Sequence, residues 1–314
     1  MIIDAHAHAF PAVSGVTGLG ETRGEGPLVH WGDGSVMRLL PPSLRDGSFP
    51  PDLLVEYMDW VGVDRAVLIQ GPFYGPLNDY VSDALDRFPD RFMGCGMLDP
   101  LASGASRVYD RVVGQLGLRN LKFECSVLYG LAGVHGGFDY LDPRWQQIWE
   151  RINEDGLTVV IDTGLPGTVS FNVSRLAEVA ERYPRCRLVI AHLGFPPSPQ
   201  AGPEARALWE PVVNLGRRPN VWFDLAGLMR IDGDDYPCHA GQAYVREAVE
   251  AVGADRLMWG TDMPGMLSHL TYRQALDFVA VKCSFLSASQ RAQILGENAA
   301  RVFQERAPAP LAAS

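Results

Sequence analysis

The sequence predicts a single (β/α)8 barrel of the TIM type, and two observations lead to it. Eight short apolar runs alternate with longer amphipathic segments along the whole chain of 314 residues. Continuous apolar runs rich in β-branched residues are typical of strands buried on both faces, as in a parallel sheet. Eight such units in a chain of this length suit a closed barrel better than an open doubly wound sheet. No GxGxxG motif follows the first run, which counts against a dinucleotide-binding fold.

The eight predicted strands read MIIDAH, RAVLIQ, RFMGCGML, NLKFE, LTVVIDT, RLVIAH, NVWFDL and RLMWGTD. The segments between them have apolar residues at three- and four-residue spacing, which is the period of an amphipathic helix. One such segment begins at Asp142-Pro143 and stops at Gly156, and these residue types commonly start and end helices. Its apolar face is predicted to consist of Trp145, Ile148, Trp149 and Ile152.

We expect one domain, residues 1–306, to contain all eight units, and residues 307–314 to form a frayed tail rich in Pro and Ala. Residues 11–50 interrupt the pattern, since they are rich in Gly and Pro and show no periodic element. They follow the first strand, and loops after strands lie at the C-terminal face of a barrel, where active sites are found. Apolar residues within this insertion favour a folded lid over a disordered segment: Trp31, Met37, Leu39 and Leu40.

Charge and cysteine content limit the expected partners and location. The net charge is -10 and no basic tract is present, so electrostatics give no reason to expect nucleic acid or an anionic membrane as a partner. The five cysteines are scattered and form no CxxC pair, which predicts reduced thiols in a cytoplasmic protein. We expect neither a signal peptide nor a membrane span. A small molecule is the expected substrate.

Ionisable residues recur at the ends of the predicted strands, where a charge is costly unless it faces a shared polar centre. His6 and His8 end the first strand two residues apart, so both imidazoles point to the same face. Two converging imidazoles suit a first-row metal ion, and two satisfied polar side chains are the alternative. Later strands contribute Lys122, Glu124, Asp162, His192, Asp224 and Asp262. This recurrence predicts one constellation at the top of the barrel.

Three motifs in register with the eight units resemble the amidohydrolase superfamily: DAHAH, IAHLGF and WGTDMP. The stretch LDPRWQQIWERINEDGLTVVIDTG is similar to the passage into the fifth strand of the amidohydrolase-related branch. That branch contains aminocarboxymuconate-semialdehyde decarboxylase and γ-resorcylate decarboxylase. The resemblance implies one divalent metal ion, Zn²⁺ or Mn²⁺, with His6, His8 and Asp262 among its ligands. It also implies His192 and Asp262 as catalytic residues.

The fifth strand departs from the family pattern, because Asp162 stands where the family has a histidine. If Asp162 is a ligand, the metal has two histidines and two carboxylates, a harder and more anionic set that favours Mn²⁺ or Zn²⁺. Since Asp is shorter than His, the alternative is that it fails to reach and that the metal is weakly bound or absent. Some lactonases of the superfamily are thought to work without a metal, so absence does not exclude an enzyme.

The resemblance further implies loop arginines that bind a substrate carboxylate, a task that suits the forked guanidinium of Arg. Asp224 is expected to lie behind the site or to cap its strand, and Lys122 either contacts substrate or pairs with Glu124. The predicted substrate-binding set is Arg38, Phe73, Lys122, Arg230 and His269.

The leading hypothesis is a metal-dependent hydrolase or decarboxylase that acts on a small carboxylated or carbonyl-bearing metabolite. The two reactions use the same residues, so the sequence hardly separates them. A metal-independent lactonase or hydratase, with Asp262 as the base that activates water, is the alternative. A non-catalytic binding barrel is the third hypothesis, and four converging ionisable groups argue against it. Relatives often dimerise, so a homodimer is also expected.

Overall fold

The computed structural model describes residues 1–231 and 234–307. Within these residues the strands are numbered along the chain as β1 (Ile3–Ala7), β2 (Val16–Thr17), β3 (Gly20–Glu25), β4 (Leu28–Trp31), β5 (Val36–Arg38), β6 (Arg65–Leu68), β7 (Phe92–Met97), β8 (Asn120–Glu124), β9 (Thr158–Asp162), β10 (Arg187–Ile190), β11 (Val221–Asp224) and β12 (Leu257–Met258).

The barrel consists of β1 and β6 to β12, in that spatial order, and every hydrogen-bonded pair in it is parallel. It closes between the last strand and the first, where the backbone N–H of Ala5 donates to the Trp259 carbonyl at 2.9 Å. The N–H of Asp262 likewise donates to the His6 carbonyl at 2.8 Å. All eight predicted strands and the single (β/α)8 barrel are therefore confirmed.

The helices lie between the strands and cover the outside of the barrel. Helix α5 begins and ends as predicted: Asp142 accepts a bond from the N–H of Arg144, and Gly156 ends the helix with a φ of 63°. The α-helices are α1 (Pro51–Val61), α2 (Asn78–Arg87), α3 (Ala105–Tyr109), α4 (Leu131–Val134), α5 (Pro143–Asp155), α6 (Val173–Arg182), α7 (Gly202–Val213), α8 (His239–Val252), α9 (Tyr272–Asp277), α10 (Ala288–Ala292) and α11 (Asn298–Val302).

The lower half of the barrel is filled by apolar side chains, which leaves the C-terminal ends of the strands for polar ones. A fully buried cluster includes Val67, Cys95, Val160 and Val189 from four different strands. Asp162 follows Val160 on the same face of β9, because side chains two residues apart share a face. The apolar packing below thus fixes the height at which the ionisable groups meet.

The insertion after β1 contains a small antiparallel sheet in the order β2-β3-β4-β5. The expectation that residues 11–50 contain no periodic element was therefore wrong. These strands are only two to six residues long and include glycines, so their alternation is too short to detect. A bridge between Phe10 and Phe49 brings the two ends of the insertion together. Its role as a lid stays a prediction.

Among the described residues, no helix is long and apolar enough to cross a membrane. The five cysteines are buried and unpaired. In the predicted tail, the N–H of Ala307 donates to the Gly117 carbonyl at 2.9 Å, and residues 308–314 lie outside the described residues. The cytoplasmic location and the homodimer stay predictions.

Candidate active site

A cavity of about 270 Å³ opens at the C-terminal ends of the barrel strands. Most of the predicted site residues line it: His6, His8, Phe73, Lys122, Asp162, His192, Arg230 and Asp262. The structure adds residues that the predicted set lacks: Met37, Leu39, Gln70, Tyr74, Glu124, Tyr129 and Phe195. The lining includes two groups of ionisable side chains, which are described in turn.

The first group, which we call the histidine wall, consists of His6, His8 and Asp262. The Nδ1 atom of His8 donates to the Ile69 carbonyl at 2.8 Å, which directs its Nε2 toward Asp262 Oδ1 at 3.0 Å. The Nδ1 atom of His6 lies 3.0 Å from Asp224 Oδ2, and its Nε2 lies 3.8 Å from the same Asp262 oxygen. Both imidazoles are therefore fixed through one nitrogen and present the other to a single carboxylate oxygen.

Two buried carboxylates behind this wall hold it in place. Asp224 Oδ1 accepts the backbone N–H of His192 at 2.9 Å, while its other oxygen contacts His6. Asp4 accepts bonds from the Thr261 hydroxyl at 2.6 Å and from the Tyr272 hydroxyl at 3.1 Å. Burial raises the pKa of Asp4 to about 7. The first residue of the DAHAH motif thus ties β1 to the turn that carries Asp262.

Asp262 stands at an unusual backbone position at the end of the eighth barrel strand. Its φ is 62°, in the left-handed region that non-glycine residues seldom adopt. Its second oxygen, Oδ2, forms an ion pair with Arg230. Burial opposes ionisation, but Arg230 and the two histidines outweigh it and hold the pKa of Asp262 well below its usual range. Asp262 is therefore an ionised carboxylate in the cavity.

The second group, which we call the lysine wall, consists of Lys122, Glu124, Asp162 and His192. Glu124 and Asp162 are register partners on the neighbouring strands β8 and β9. The Nζ atom of Lys122 lies between them, 3.7 Å from Glu124 Oε2 and 3.8 Å from Asp162 Oδ2. Asp162 Oδ2 is also 3.2 Å from His192 Nε2. Lys122 is only 2% exposed, so its positive charge depends on these carboxylates.

The ionisable residues of the lysine wall shift one another's pKa values. Burial disfavours the imidazolium form of His192, but its contact with Asp162 prevails and raises its pKa to about 9. Burial also works against the Asp162 carboxylate, yet Lys122 and His192 lower its pKa. Burial and the nearby Asp162 charge raise the pKa of Glu124. The wall therefore presents two cations, and Glu124 is the carboxyl group that most readily holds a proton.

The described residues contain two groups whose ligand atoms all lie within 4.8 Å of one another: His6, His8 and Asp262, and His6, His192 and Asp224. Asp162 belongs to neither group. Its Oδ1 accepts the N–H of Gly164 at 2.9 Å, and its Oδ2 faces Lys122 and His192. Its role as a metal ligand stays a prediction.

Two predicted substrate-binding residues are placed outside the lining of this cavity. Arg38 is exposed at the end of β5, and His269 is exposed and lines a neighbouring cavity. Among the residues that sequence reasoning missed, Gln70 is 1% exposed and donates through Nε2 to the Cys95 carbonyl at 3.0 Å. Gln70 follows the apolar run RAVLIQ, so its position at a strand end was the available signal.

A family model described as Amidohydrolase matches residues 3–304. The chain belongs to the amidohydrolase family. The resemblance inferred from DAHAH, IAHLGF and WGTDMP is thereby confirmed.

Two curated relatives are similar in sequence. The L-fucono-1,5-lactonase of Burkholderia ambifaria is 30% identical over 178 residues, which are 53% of this chain and 58% of that protein. The 4-sulfomuconolactone hydrolase of Hydrogenophaga intermedia is 24% identical over 96% of this chain and 88% of that protein.

Solved structures of this amidohydrolase's relatives share its fold. A zinc-bound amidohydrolase from Burkholderia multivorans has a TM-score of 0.71 and 19% identity, and the match covers 96% of this chain and 98% of that one. The 5-carboxyvanillate decarboxylase of Sphingomonas paucimobilis has a TM-score of 0.57 and 20% identity, with 84% and 85% covered. These two matches show the shared fold, while the family model and the curated relatives make the chain an enzyme of the amidohydrolase superfamily.

Proposed function

We propose that this amidohydrolase is a hydrolase that opens the ring ester of a small carboxylated lactone. One structural observation carries the proposal: an acceptor, Asp262, and two buried donors, Lys122 and His192, line the same cavity of about 270 Å³. Ester hydrolysis needs a proton acceptor for water and donors for the developing oxyanion. The names of two relatives, a 1,5-lactonase and a muconolactone hydrolase, support the choice of a lactone.

In the proposed reaction, a water molecule attacks the lactone carbonyl carbon and gives its proton to Asp262. Lys122 and His192 stabilise the negative charge on the carbonyl oxygen. The bond between the carbonyl carbon and the ring oxygen then breaks, and the ring oxygen takes a proton from Glu124, the carboxyl group whose pKa is raised by burial and by the nearby Asp162. The products are a hydroxyl and a carboxylate on one open chain. Arg230, which lines the same cavity, binds a carboxylate that the lactone already carries.

The histidine wall fits a divalent metal ion, because both imidazoles are anchored through Nδ1 and direct Nε2 toward Asp262 Oδ1. His6, His8 and Asp262 would hold the ion, and Zn²⁺ or Mn²⁺ suits this donor set. When bound, such an ion polarises a carbonyl and lowers the pKa of water. The Burkholderia multivorans amidohydrolase, which shares this fold, has bound zinc in its solved structure.

Metal content of the purified protein, measured by plasma emission spectrometry, tests the ligand set. We expect about one zinc or manganese per chain in the wild type and a loss of most of it in His8→Gln. Asp162→Asn is the matched control and should keep its metal, because Asp162 lies outside the group of ligand atoms. An equal loss in both variants would contradict this assignment.

Screening a substrate panel tests the proposed reaction. The panel contains carboxylated five- and six-membered lactones together with hydroxybenzoates, and NMR follows both ring opening and loss of carbon dioxide. We expect ring opening of at least one lactone, at a rate that Asp262→Asn reduces. Release of carbon dioxide from a hydroxybenzoate without opening of any lactone would overturn the proposal in favour of a decarboxylase.

A further inference from the structure

A second cavity, of about 520 Å³, adjoins the active-site cavity and shares three lining residues with it: His192, Phe195 and Arg230. We propose that this second cavity, the side chamber, is a subsite that binds an apolar substituent of the lactone. The inference rests on the proposed function and extends it, since it names the substrate class as a lactone with an alkyl or aryl group on its ring.

The side chamber differs from the active-site cavity in chemistry. Its described lining includes no Asp, Glu or Lys, whereas Glu124, Asp162 and Asp262 line the active-site cavity. Most of its walls are apolar side chains: Leu165, Pro166, Pro196, Pro197, Leu228 and Ile231. A molecule that spans both cavities therefore needs a polar end for the first and an apolar end for the second.

The partition between the two cavities is built from close and anchored contacts. The Phe195 ring lies 4.6 Å from the His192 ring, measured between centroids. A Cβ atom on Gly227 would lie 3.0 Å from His192 Nδ1, and the φ of Gly227 is +80°, so a larger residue would be strained there. The Tyr244 hydroxyl donates to the Pro197 carbonyl at 2.7 Å, which fixes the proline wall to α8. The side chamber is thus a formed space.

Arg230 gives a second, independent reason to place a ligand at the boundary. Its Nε atom is buried and has no hydrogen-bond partner among the described residues, although its terminal nitrogen contacts Asp262. A buried donor without an acceptor is costly, and a carboxylate or ester oxygen of a bound substrate would satisfy it. A substrate held there has its remaining substituent directed toward either cavity, and of the two only the side chamber has no carboxylate or lysine in its described lining.

Narrowing the chamber from α7 tests the inference. Ala205 lines the chamber and is partly buried, so Ala205→Trp should fill it, with Ala205→Leu as a milder variant. Ala207→Trp is the matched control, because Ala207 is exposed on the same helix and does not line the chamber. The probes are 4-hydroxyalkanoates of four to ten carbons, which are ring-opened lactones, and their binding is measured by isothermal titration calorimetry.

In the wild type and in Ala207→Trp, we expect the Kd to fall about fourfold for each methylene group that enters the chamber. In Ala205→Trp the Kd should be independent of chain length, while the shortest lactone is hydrolysed as in the wild type. A Kd that does not change with chain length in the wild type, no binding of any member, or an unchanged gradient in Ala205→Trp would overturn the inference. The lactone panel decides the proposed reaction separately, because a length gradient in binding does not depend on turnover.

Discussion

The side chains of the histidine wall and those of the lysine wall are held in place by contacts of different length. In the histidine wall, each imidazole is anchored at 2.8–3.0 Å through Nδ1, and His8 Nε2 lies 3.0 Å from Asp262. In the lysine wall, Lys122 lies 3.7 and 3.8 Å from its two carboxylates, beyond direct hydrogen-bond distance. The first wall is therefore positioned before substrate arrives. In the second wall, His192 is anchored through Nδ1 to the Ala226 carbonyl at 2.9 Å, but Lys122 has room to move its Nζ atom onto a substrate oxygen. This contrast yields four predictions.

The largest effect is expected from Asp262→Asn, which removes the proton acceptor of the histidine wall. General-base catalysis contributes roughly 10²–10⁴-fold, so we expect kcat/KM for the lactone to fall about 10³-fold. Steady-state kinetics on the best lactone of the panel measure it. Asp255→Asn, at a partly buried position outside the lining of the cavity, is the control and should keep the wild-type rate. A fall in kcat/KM of less than tenfold in Asp262→Asn would show that Asp262 is not the proton acceptor.

Lys122→Met should reduce kcat about 10²-fold, because it removes one donor to the oxyanion. It also removes the cation that Glu124 and Asp162 share and leaves only His192 beside Asp162, which costs about 3–5 kcal/mol in the free energy of unfolding. Urea unfolding and kinetics measure the two effects. The double variant Lys122→Met/Asp162→Asn should recover much of the stability and none of the activity. If activity returned along with stability, Lys122 would be only a structural partner of Asp162.

Arg230→Gln should act mainly on substrate binding. We expect the KM for a carboxylated lactone to rise about tenfold or more, because a bond between charged groups is worth roughly 1.5–3 kcal/mol. The KM for the matching lactone without a carboxylate should rise much less, and the two substrates together separate recognition from general damage to the site. Equal increases in KM for both lactones would show that Arg230 does not bind the carboxylate.

The smallest effect is expected behind the histidine wall. Tyr272→Phe removes one of the hydrogen bonds to Asp4 and should lower the free energy of unfolding by about 1 kcal/mol, with kcat within about twofold of the wild type. Urea unfolding measures it, and Tyr57→Phe is the control because the Tyr57 ring packs against Tyr272 without joining the Asp4 network. A tenfold loss of kcat in Tyr272→Phe would contradict this, because it would mean that the other hydrogen bonds to Asp4 do not hold the histidine wall in place.

The barrel could be predicted from the sequence because its strands are continuous apolar runs that alternate with amphipathic segments, and nearly every strand ends at a polar residue. The antiparallel sheet of the insertion could not be predicted, because strands such as Val16–Thr17 are too short to show an alternation of apolar and polar residues in the sequence. Its contribution to the cavity, through Met37 and Leu39, depends on how the sheet folds back over the barrel.

The sequence motifs also could not predict which residues contact Asp162. The family pattern pointed to a metal ligand at this position, but the shorter side chain lies near Lys122 and His192. That arrangement follows from strand register, since Glu124 and Asp162 are side by side and Lys122 shares their face. Register can be counted only after the order of all eight strands is known. The histidine pair needed no such information, because His6 and His8 lie on one strand.

Isotope incorporation tests the proposed hydrolysis most directly. The best lactone of the panel is turned over in water enriched in ¹⁸O, and mass spectrometry of the acid product counts the labelled oxygens while headspace analysis measures carbon dioxide. The proposed reaction predicts one ¹⁸O in the new carboxylate and no carbon dioxide. An unlabelled product accompanied by stoichiometric carbon dioxide would contradict it and make this amidohydrolase a carboxy-lyase.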